Sequence, residues 1–403
     1  MPSAVLVVGL AAVVTLVVLE LGLRRLVRSA RRSFQWLITE RDTSPALDQE
    51  KLAAFLAGSF SPALGWEPVP GTSGEDRAPG ALSTFTIDAT GARAAPADAP
   101  EPTVAAFGDS YAFCRQVDDD QTWAAVLGRM SGVGVINLGV GNYGVDQAML
   151  RYLQRRDDLP DTVTTILAVF VPETILRIQS VWKHWMEFGN TFGFKPRFVL
   201  EEDGLRLIPN PVQSAADFAR LAEVAERIGD LDPFQERRFR RLQFRPPYLA
   251  TFLRSPGRHA SILATVLAGR GPGGTLDRPA FDRAFARVMR ANVEDAHAAY
   301  REPGSTALLT AVLERFRTEV EADGRRFVVV VIPQMLDLAV RSRAERTYGA
   351  YYRDLASRME IVDVTPTLAE HPASELYVHD RYGGHLSVHG NRTVAERLAA
   401  LLR

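Results

Sequence analysis

The sequence predicts an α/β fold in which a doubly wound, five-stranded parallel sheet carries helices on both faces, giving three layers. From Thr103 onward, short apolar runs alternate with segments of helical spacing, which is typical of a parallel sheet covered on both sides. Five such runs have the length of core strands, and this number fits a doubly wound sheet. The predicted strands are residues 103–107, 133–137, 164–171, 326–332 and 360–364.

The chain has 403 residues, more than one α/β domain of roughly 200–250 residues needs. We therefore expect three parts. Residues 1–33 form an apolar helix with a basic flank, residues 34–101 form a lead-in segment with one or two small strands, and residues 102–403 form the main domain. Within that domain, residues 177–322 contain no run that resembles a central strand, so a helical insertion is predicted there.

The amino terminus is predicted to be a membrane-spanning helix. Residues 4–19 are aliphatic apart from Gly and one Thr, and the run reaches about 20 residues at Leu23, close to the length that crosses a bilayer. A cleavable signal peptide has a basic segment before its apolar run and a small-residue cleavage site after it, and both are missing here. A buried or interfacial helix is the alternative interpretation. The basic cluster that follows favours a cytoplasmic main domain and consists of Arg24, Arg25, Arg28, Arg31 and Arg32.

Helices are predicted between the strands at residues 121–130 and 145–155, within the insertion at residues 215–228 and 280–299, and after the last strand at residues 392–402. Their apolar residues recur at the spacing of an amphipathic helix. The last of these helices is expected to pack back on the sheet.

Composition excludes several classes of function. The 47 basic and 48 acidic residues leave a net charge of −1, so no overall field favours nucleic acid as a partner. One cysteine, Cys114, excludes an intrachain disulfide and a thiolate metal cluster. His379 and His389 lie near the carboxyl terminus, but their spacing matches no metal motif, so neither a metal nor a cofactor is predicted.

The candidate nucleophile is Ser110, which follows the first predicted strand in the segment Gly108-Asp109-Ser110. Ligands of open α/β sheets bind at the carboxyl ends of the strands, so this serine is expected at the mouth of a cleft. Its hydroxyl can also lie near a helix amino terminus, where backbone N–H groups stabilise negative charge. On its own, the Asp109-Ser110 pair is equally compatible with a simple helix cap.

The candidate base is His385, on the loop before the final helix. A serine hydroxyl is a poor nucleophile until a base accepts its proton, and imidazole is suited to this near neutral pH. His389 is a competing candidate. The two members of the predicted pair, Ser110 and His385, lie at opposite ends of the main domain.

The order of these segments resembles that of the SGNH (GDSL-type) hydrolase superfamily, including its membrane-anchored bacterial members. The family's first block resembles Gly108-Asp109-Ser110, its second the segment from Asn137 to Gly144, its third Pro172-Glu173-Thr174-Ile175, and its last the segment around His385. The resemblance covers residues 60–175 and 325–403, and it implies the flavodoxin-like SGNH sheet.

The resemblance also implies site residues, with three departures from the family pattern. The oxyanion would be held by the backbone N–H groups of Ser110 and Asn142, where Asn142 replaces a glycine, and by Thr174, which replaces an asparagine. Glu173 cannot donate while it is ionised. The family's acid two or three residues before the histidine is absent, so Asp380 is the candidate for orienting the imidazole. Supporting roles fall to Gly108, Asp109 and Gly141.

The function implied is that of a serine esterase acting on O-acyl groups, with acetyl esters of a surface glycan as the expected substrate class. Two alternatives stay open. The same intermediate would serve an O-acyltransferase, and the departures at Thr174 and Asp380 are also compatible with an inactive domain that binds a glycan or a partner at the membrane. The resemblance favours an extracytoplasmic domain, against the Arg cluster, and the membrane side stays open.

Overall fold

The computed structural model describes residues 2–31, 45–78, 81–187, 190–240, 245–268, 278–339, 347–378 and 384–402. A five-stranded parallel sheet forms the centre of the main domain. Its strands are β1 (Pro102–Gly108), β2 (Gly134–Asn137), β3 (Thr165–Phe170), β4 (Arg326–Val331) and β5 (Glu360–Asp363). Their order across the sheet is β5-β4-β3-β1-β2, so the predicted fold class is confirmed.

Apolar side chains extend from both faces of the sheet, because successive residues of a strand point to opposite sides. Ala105 and Phe107 of β1 belong to one buried cluster, whereas Val104 and Ala106 belong to the other. The first face is covered by Val145–Arg155, Pro303–Ala322 and Thr347–Leu355, and the second by Trp123–Ser131 and Val388–Ala399. This arrangement gives the three layers.

Two of these helices start at residues other than the predicted ones, and amino-terminal capping explains both differences. Thr122 accepts a hydrogen bond from the N–H of Ala125, so the helix predicted from residue 121 begins at Trp123. Ser387 accepts one from the N–H of Gly390, and the final helix therefore begins four residues before its predicted start. Ser and Thr are preferred caps because their oxygens satisfy free N–H groups of the first turn.

The lead-in contains the helix Gln49–Gly58 and two hairpins, formed by Phe60–Ser61 with Gly65–Trp66 and by Ser73–Ala78 with Ala81–Thr86. Short helices follow the strands of the sheet, at Ser110–Phe113, Thr174–Arg177, Met335–Ala339, Thr365–Leu368 and Ala373–Leu376. Single turns of 3-10 helix lie at Asp119–Gln121, Arg156–Asp158 and Gly229–Leu231.

The insertion is mostly helical, but it also contains a hairpin of Arg197–Glu201 and Gly204–Ile208 that the sequence interpretation missed. The helix predicted at residues 215–228 is broken at Arg220 into two. In the described part of the insertion, the helices are Lys183–Glu187, Ala215–Ala219, Leu221–Arg227, Gln235–Arg240 (a π-helical turn), Tyr248–Arg254, Pro256–Ala268, Arg278–Ala299 and Pro303–Ala322.

The amino-terminal helix Pro2–Arg31 contains one segment, Val5–Arg28, that is long and apolar enough to cross a membrane. Its later part packs against the insertion. Val27 is fully buried, and the Glu20 carboxylate accepts hydrogen bonds from the N–H groups of Tyr248 and Leu249 at 2.8 and 2.7 Å.

Candidate active site

Ser110 is the first residue of a short helix that follows β1. Gly108 ends the strand where no side chain fits, because a Cβ there would lie 1.9 Å from the carbonyl oxygen of Val169. Asp109 then caps the helix, its carboxylate accepting the N–H of Tyr111 at 2.8 Å. The cap predicted as an alternative to catalysis therefore exists, and it fixes the position of Ser110 at the carboxyl end of the sheet.

The structure brings Ser110 and His385 together. The Oγ of Ser110 lies 2.8 Å from the Nε2 of His385, a distance suited to proton transfer. The backbone N–H of His385 donates to the Gln116 side chain at 3.2 Å. The hydroxyl of Tyr111 donates to the carbonyl of Gly384 at 3.0 Å, which ties the histidine segment to the helix that begins at Ser110.

Of the other predicted candidates for the base and its partner, the structure describes His389. Asp380 and His379 lie outside the described residues, so Asp380 stays a prediction. His389 is exposed, and its ring packs against that of His371 with 5.2 Å between centroids. His385, by contrast, contacts Ser110.

The loop after β2 lies against the helix of Ser110. Asn142 has a φ of 69°, in the left-handed region that Asn tolerates better than most residues. The closest approach is at Gly139, where a Cβ would lie 2.4 Å from the N of Phe113. At Gly141 the nearest atom to a Cβ is 4.0 Å away, so the close packing of this loop falls at Gly139, and the supporting role of Gly141 stays a prediction.

Thr174 contacts the helix that follows the loop after β2. Its side chain is buried, and the Oγ1 accepts a hydrogen bond from the N–H of Val145 at 3.1 Å. Val145 is the first residue of the helix that follows the Asn142 loop. The hydroxyl of Thr174 therefore supports the start of this helix.

A buried network of charges lies behind the nucleophile. Arg177 donates to Asp109 at 3.1 Å and to Glu173 at 2.8 Å, and Gln334 donates to Glu173 at 3.0 Å. Burial raises the pKa of Asp109 despite the opposing charge of Arg177. Burial also acts to raise the pKa of Glu173, but Arg177 and Lys183 outweigh it and the pKa lies below its ordinary value. Glu173 is thus an ionised partner of Arg177.

Arg93 of the lead-in holds the segment that follows the nucleophile helix. Its buried guanidinium donates to the carbonyl oxygens of Phe113 and Val117 at 2.7 and 2.6 Å, and also to that of Cys114. Cys114 and Gln116 both have positive φ, so these hydrogen bonds stabilise a turn of unfavourable backbone conformation. Sequence reasoning gave Arg93 no role in the site.

A cavity of about 340 Å³ lies between the lead-in and the loop after β2. Val140 and Gly141 form one wall, and the other walls include Trp66, Phe85, Phe113 and Arg115. The indole N–H of Trp66 donates to the carbonyl of Gly141 at 2.9 Å. The lead-in therefore forms walls of a cavity that reaches Gly141, the residue before Asn142.

Comparison with known proteins finds neither a family model nor a curated protein that matches this chain. Among the solved structures that resemble it are two described as lipolytic proteins of the G-D-S-L family. One is from Desulfitobacterium hafniense DCB-2, with 12% identity, a TM-score of 0.30, and coverage of 75% of this chain and 99% of that chain. The other is from Veillonella parvula DSM 2008, with 10% identity, a TM-score of 0.30, and coverage of 74% and 96%. Likenesses this distant carry no argument about the activity.

Proposed function

We propose that this protein is a serine ester hydrolase that acts on O-acyl esters, with acetyl esters of a surface glycan as the substrate class. The observation that carries the proposal is the 2.8 Å distance between the Oγ of Ser110 and the Nε2 of His385. A separation beyond hydrogen-bond reach would have favoured an inactive binding domain. A contact of this length instead supports chemistry.

In the proposed reaction, the Oγ of Ser110 attacks the acyl carbonyl carbon while the Nε2 of His385 accepts the hydroxyl proton. Negative charge then develops on the carbonyl oxygen, which the backbone N–H groups of Ser110 and Asn142 would stabilise. His385 returns the proton to the departing alcohol, leaving an acyl group on Ser110. Water activated by the same imidazole releases the acid and restores the serine.

The test uses the full chain in detergent, with p-nitrophenyl acetate as substrate and a fluorophosphonate probe for the serine. We expect Ser110→Ala and His385→Ala to lose at least about 10³-fold in rate, and Ser110→Ala to lose labelling. His389→Ala is the matched control, since that histidine is exposed, and it should retain activity. Equal rates in all four proteins, with no labelling, would favour an inactive domain that binds a glycan or partner.

Asp380 is proposed as the residue that orients the imidazole, because it is the nearest acid before His385 in the chain. Removing the acid from a serine triad lowers the rate by up to about 10⁴-fold. The variant Asp380→Asn, added to the same assay, therefore tests this role. A rate within about twofold of the unaltered protein would assign the role to another group.

Transfer of the acyl group to a sugar is the second candidate, because a hydroxyl of a sugar can replace water in the last step. The half-exposed residues around the 340 Å³ cavity favour an accessible acceptor site. Adding a glycan acceptor to the assay separates the two reactions. An O-acylated product would identify a transferase, and free acid alone would identify a hydrolase.

We also propose that the Val5–Arg28 segment anchors the protein in a membrane, since its residues from Val5 to Leu19 are exposed and apolar. The protein should stay with membranes after a carbonate wash at high pH. A phosphatase fused after Arg403 reports the side, because it is active only outside the cytoplasm.

A further inference from the structure

The cavity beside the loop after β2 contains one cationic side chain with a free edge, that of Arg115. Its Nε and Nη2 atoms both donate to the Asp76 carboxylate, at 3.2 and 2.6 Å. Within the part of the chain that the structure describes, its Nη1 atom donates no hydrogen bond. One edge of the guanidinium is therefore held by the protein, and the other is available to a ligand.

The available edge faces the loop after β2. The Nη1 of Arg115 lies 4.0 Å from the position of a Cβ on Gly141, and Gly141 directly precedes Asn142. The side chain of Arg115 is 44% exposed, whereas that of Asp76 is only 8% exposed. A group bound to Nη1 would thus lie in the cavity, next to the backbone proposed to hold the oxyanion.

Asp76 restricts the orientation of Arg115 before any ligand arrives. Its carboxylate also accepts the N–H of Gln116 at 3.3 Å, so it is fixed from two sides. A guanidinium that is already oriented loses less conformational entropy on binding. The acidic residue of the cavity, Glu67, is paired with Arg151 at 3.3 Å, so its charge is offset and opposes an anion beside Arg115 only weakly.

We propose that Arg115 binds an anionic group of the substrate, a carboxylate or a phosphate, carried on the alcohol part of the ester. The inference rests on the proposed ester hydrolysis and narrows its substrate class to acidic sugars. A planar guanidinium is well suited to both oxyanions. Stacking of a sugar ring on the aromatic wall, which includes Trp66 and Phe113, fits the same cavity.

The test compares three substrates prepared as mixtures of mono-O-acetates, so that the position of the ester does not bias the result. They are methyl glucoside, methyl glucuronide and methyl glucoside 6-phosphate. For the full chain in detergent, we expect kcat/KM for at least one acidic sugar to exceed that for the neutral sugar by about 10- to 100-fold. The two acidic substrates distinguish a carboxylate from a phosphate.

In Arg115→Ala, that ratio should fall towards one, mainly through a higher KM for the acidic sugar. Arg115→Lys keeps the charge but loses the planar guanidinium that Asp76 orients through two hydrogen bonds. An intermediate ratio of kcat/KM values is therefore expected. Arg77→Ala is the matched control, because Arg77 lies on the same hairpin and pairs with Glu75 at the surface. Its ratio should equal that of the unaltered protein.

A ratio near one in the unaltered protein, or the same ratio in Arg115→Ala, would overturn the inference while p-nitrophenyl acetate hydrolysis continued to support the esterase. If Ser110-dependent hydrolysis is absent altogether, calorimetric titration with methyl glucuronide and methyl glucoside 6-phosphate decides the question. Binding that disappears in Arg115→Ala would preserve the anion site without the enzyme. Failure of both sugars to bind would overturn it.

Discussion

Thr174 occupies the position where the SGNH pattern has an asparagine, and its contacts assign it a structural task. The Oγ1 accepts the N–H of Val145 in a buried environment. The hydroxyl proton of Thr174 remains available for donation, whereas its oxygen already accepts the hydrogen bond from Val145. Its contribution to oxyanion binding, as inferred from the sequence, stays a prediction, and its hydrogen bond to Val145 supports the helix Val145–Arg155.

We predict that Thr174→Val lowers the free energy of unfolding by about 1–3 kcal/mol, because the N–H of Val145 is left buried without an acceptor. Chemical denaturation measures this change. Thr174→Ser keeps the hydroxyl and should lose less stability. If Thr174→Val were as stable as the unaltered protein but lost about 10²–10³-fold in kcat, the hydroxyl would be an oxyanion donor after all.

At the level of residues, the sequence identified the two groups that touch, because both stand in short motifs with a chemical meaning. Ser110 and His385 could be paired without a structure. Arg177 and Arg115 could not, since their roles depend on carboxylates that the fold brings near. Asp109 and Asp76 respectively supply those partners, and nothing in the local sequence reveals either ion pair.

Among the elements, the short helix Lys183–Glu187 has an unforeseen contact with the site. The Nζ of Lys183 donates to the carbonyl of Asn142 at 3.4 Å and pairs with Glu187 at 2.8 Å. Burial lowers the pKa of Lys183, an effect that Glu187 partly opposes. The hydrogen bond from Lys183 supports the backbone of Asn142, whose φ is positive. We therefore regard Lys183 as a positioning residue.

We predict that Lys183→Met lowers kcat by about 10- to 100-fold with little change in KM, because small displacements of a reacting group are costly. Lys183→Arg should restore part of the loss. Lys195→Met is the matched control, since Lys195 is equally buried and pairs with the fully buried Asp146. Leaving that carboxylate unpaired should destabilise the protein at least as much. Equal losses of kcat in the two methionine variants would reduce Lys183 to a stabilising role.

The central elements were predictable because buried parallel strands are continuous apolar runs, such as residues 327–331 in β4. The elements of the insertion were less predictable from the sequence. The strand Arg197–Glu201 is only partly buried, and half-exposed hairpins have a weak sequence signal. The break at Arg220 has no helix-breaking Gly or Pro to signal it in the sequence.

For the molecule as a whole, the contacts of Glu20 attach the amino-terminal helix to the insertion. The sequence did not suggest this role for the insertion. Its carboxylate accepts the N–H groups that begin the helix Tyr248–Arg254. The apolar stretch before it, from Ala4 to Leu19, has about 16 residues and spans about 24 Å. The hydrocarbon core of a bilayer is about 30 Å thick. Because this stretch is about 6 Å shorter than the core, crossing of the membrane as proposed would place Glu20 and the helix Tyr248–Arg254 near the edge of the hydrocarbon core.

We predict that Glu20→Ala weakens the attachment of the anchor helix to the main domain in the full chain in detergent. The amides of Tyr248 and Leu249 lose their acceptor, so their hydrogen exchange should be faster, and the helix loses about 1 kcal/mol of capping. Thr15→Ala is the control, because the exposed hydroxyl of Thr15 donates to the carbonyl of Ala11 in its own helix. Unchanged exchange at residues 248 and 249 in Glu20→Ala would mean that apolar packing around Val27 alone fixes the anchor, and the charged contact would then be incidental to how the domain sits on the membrane.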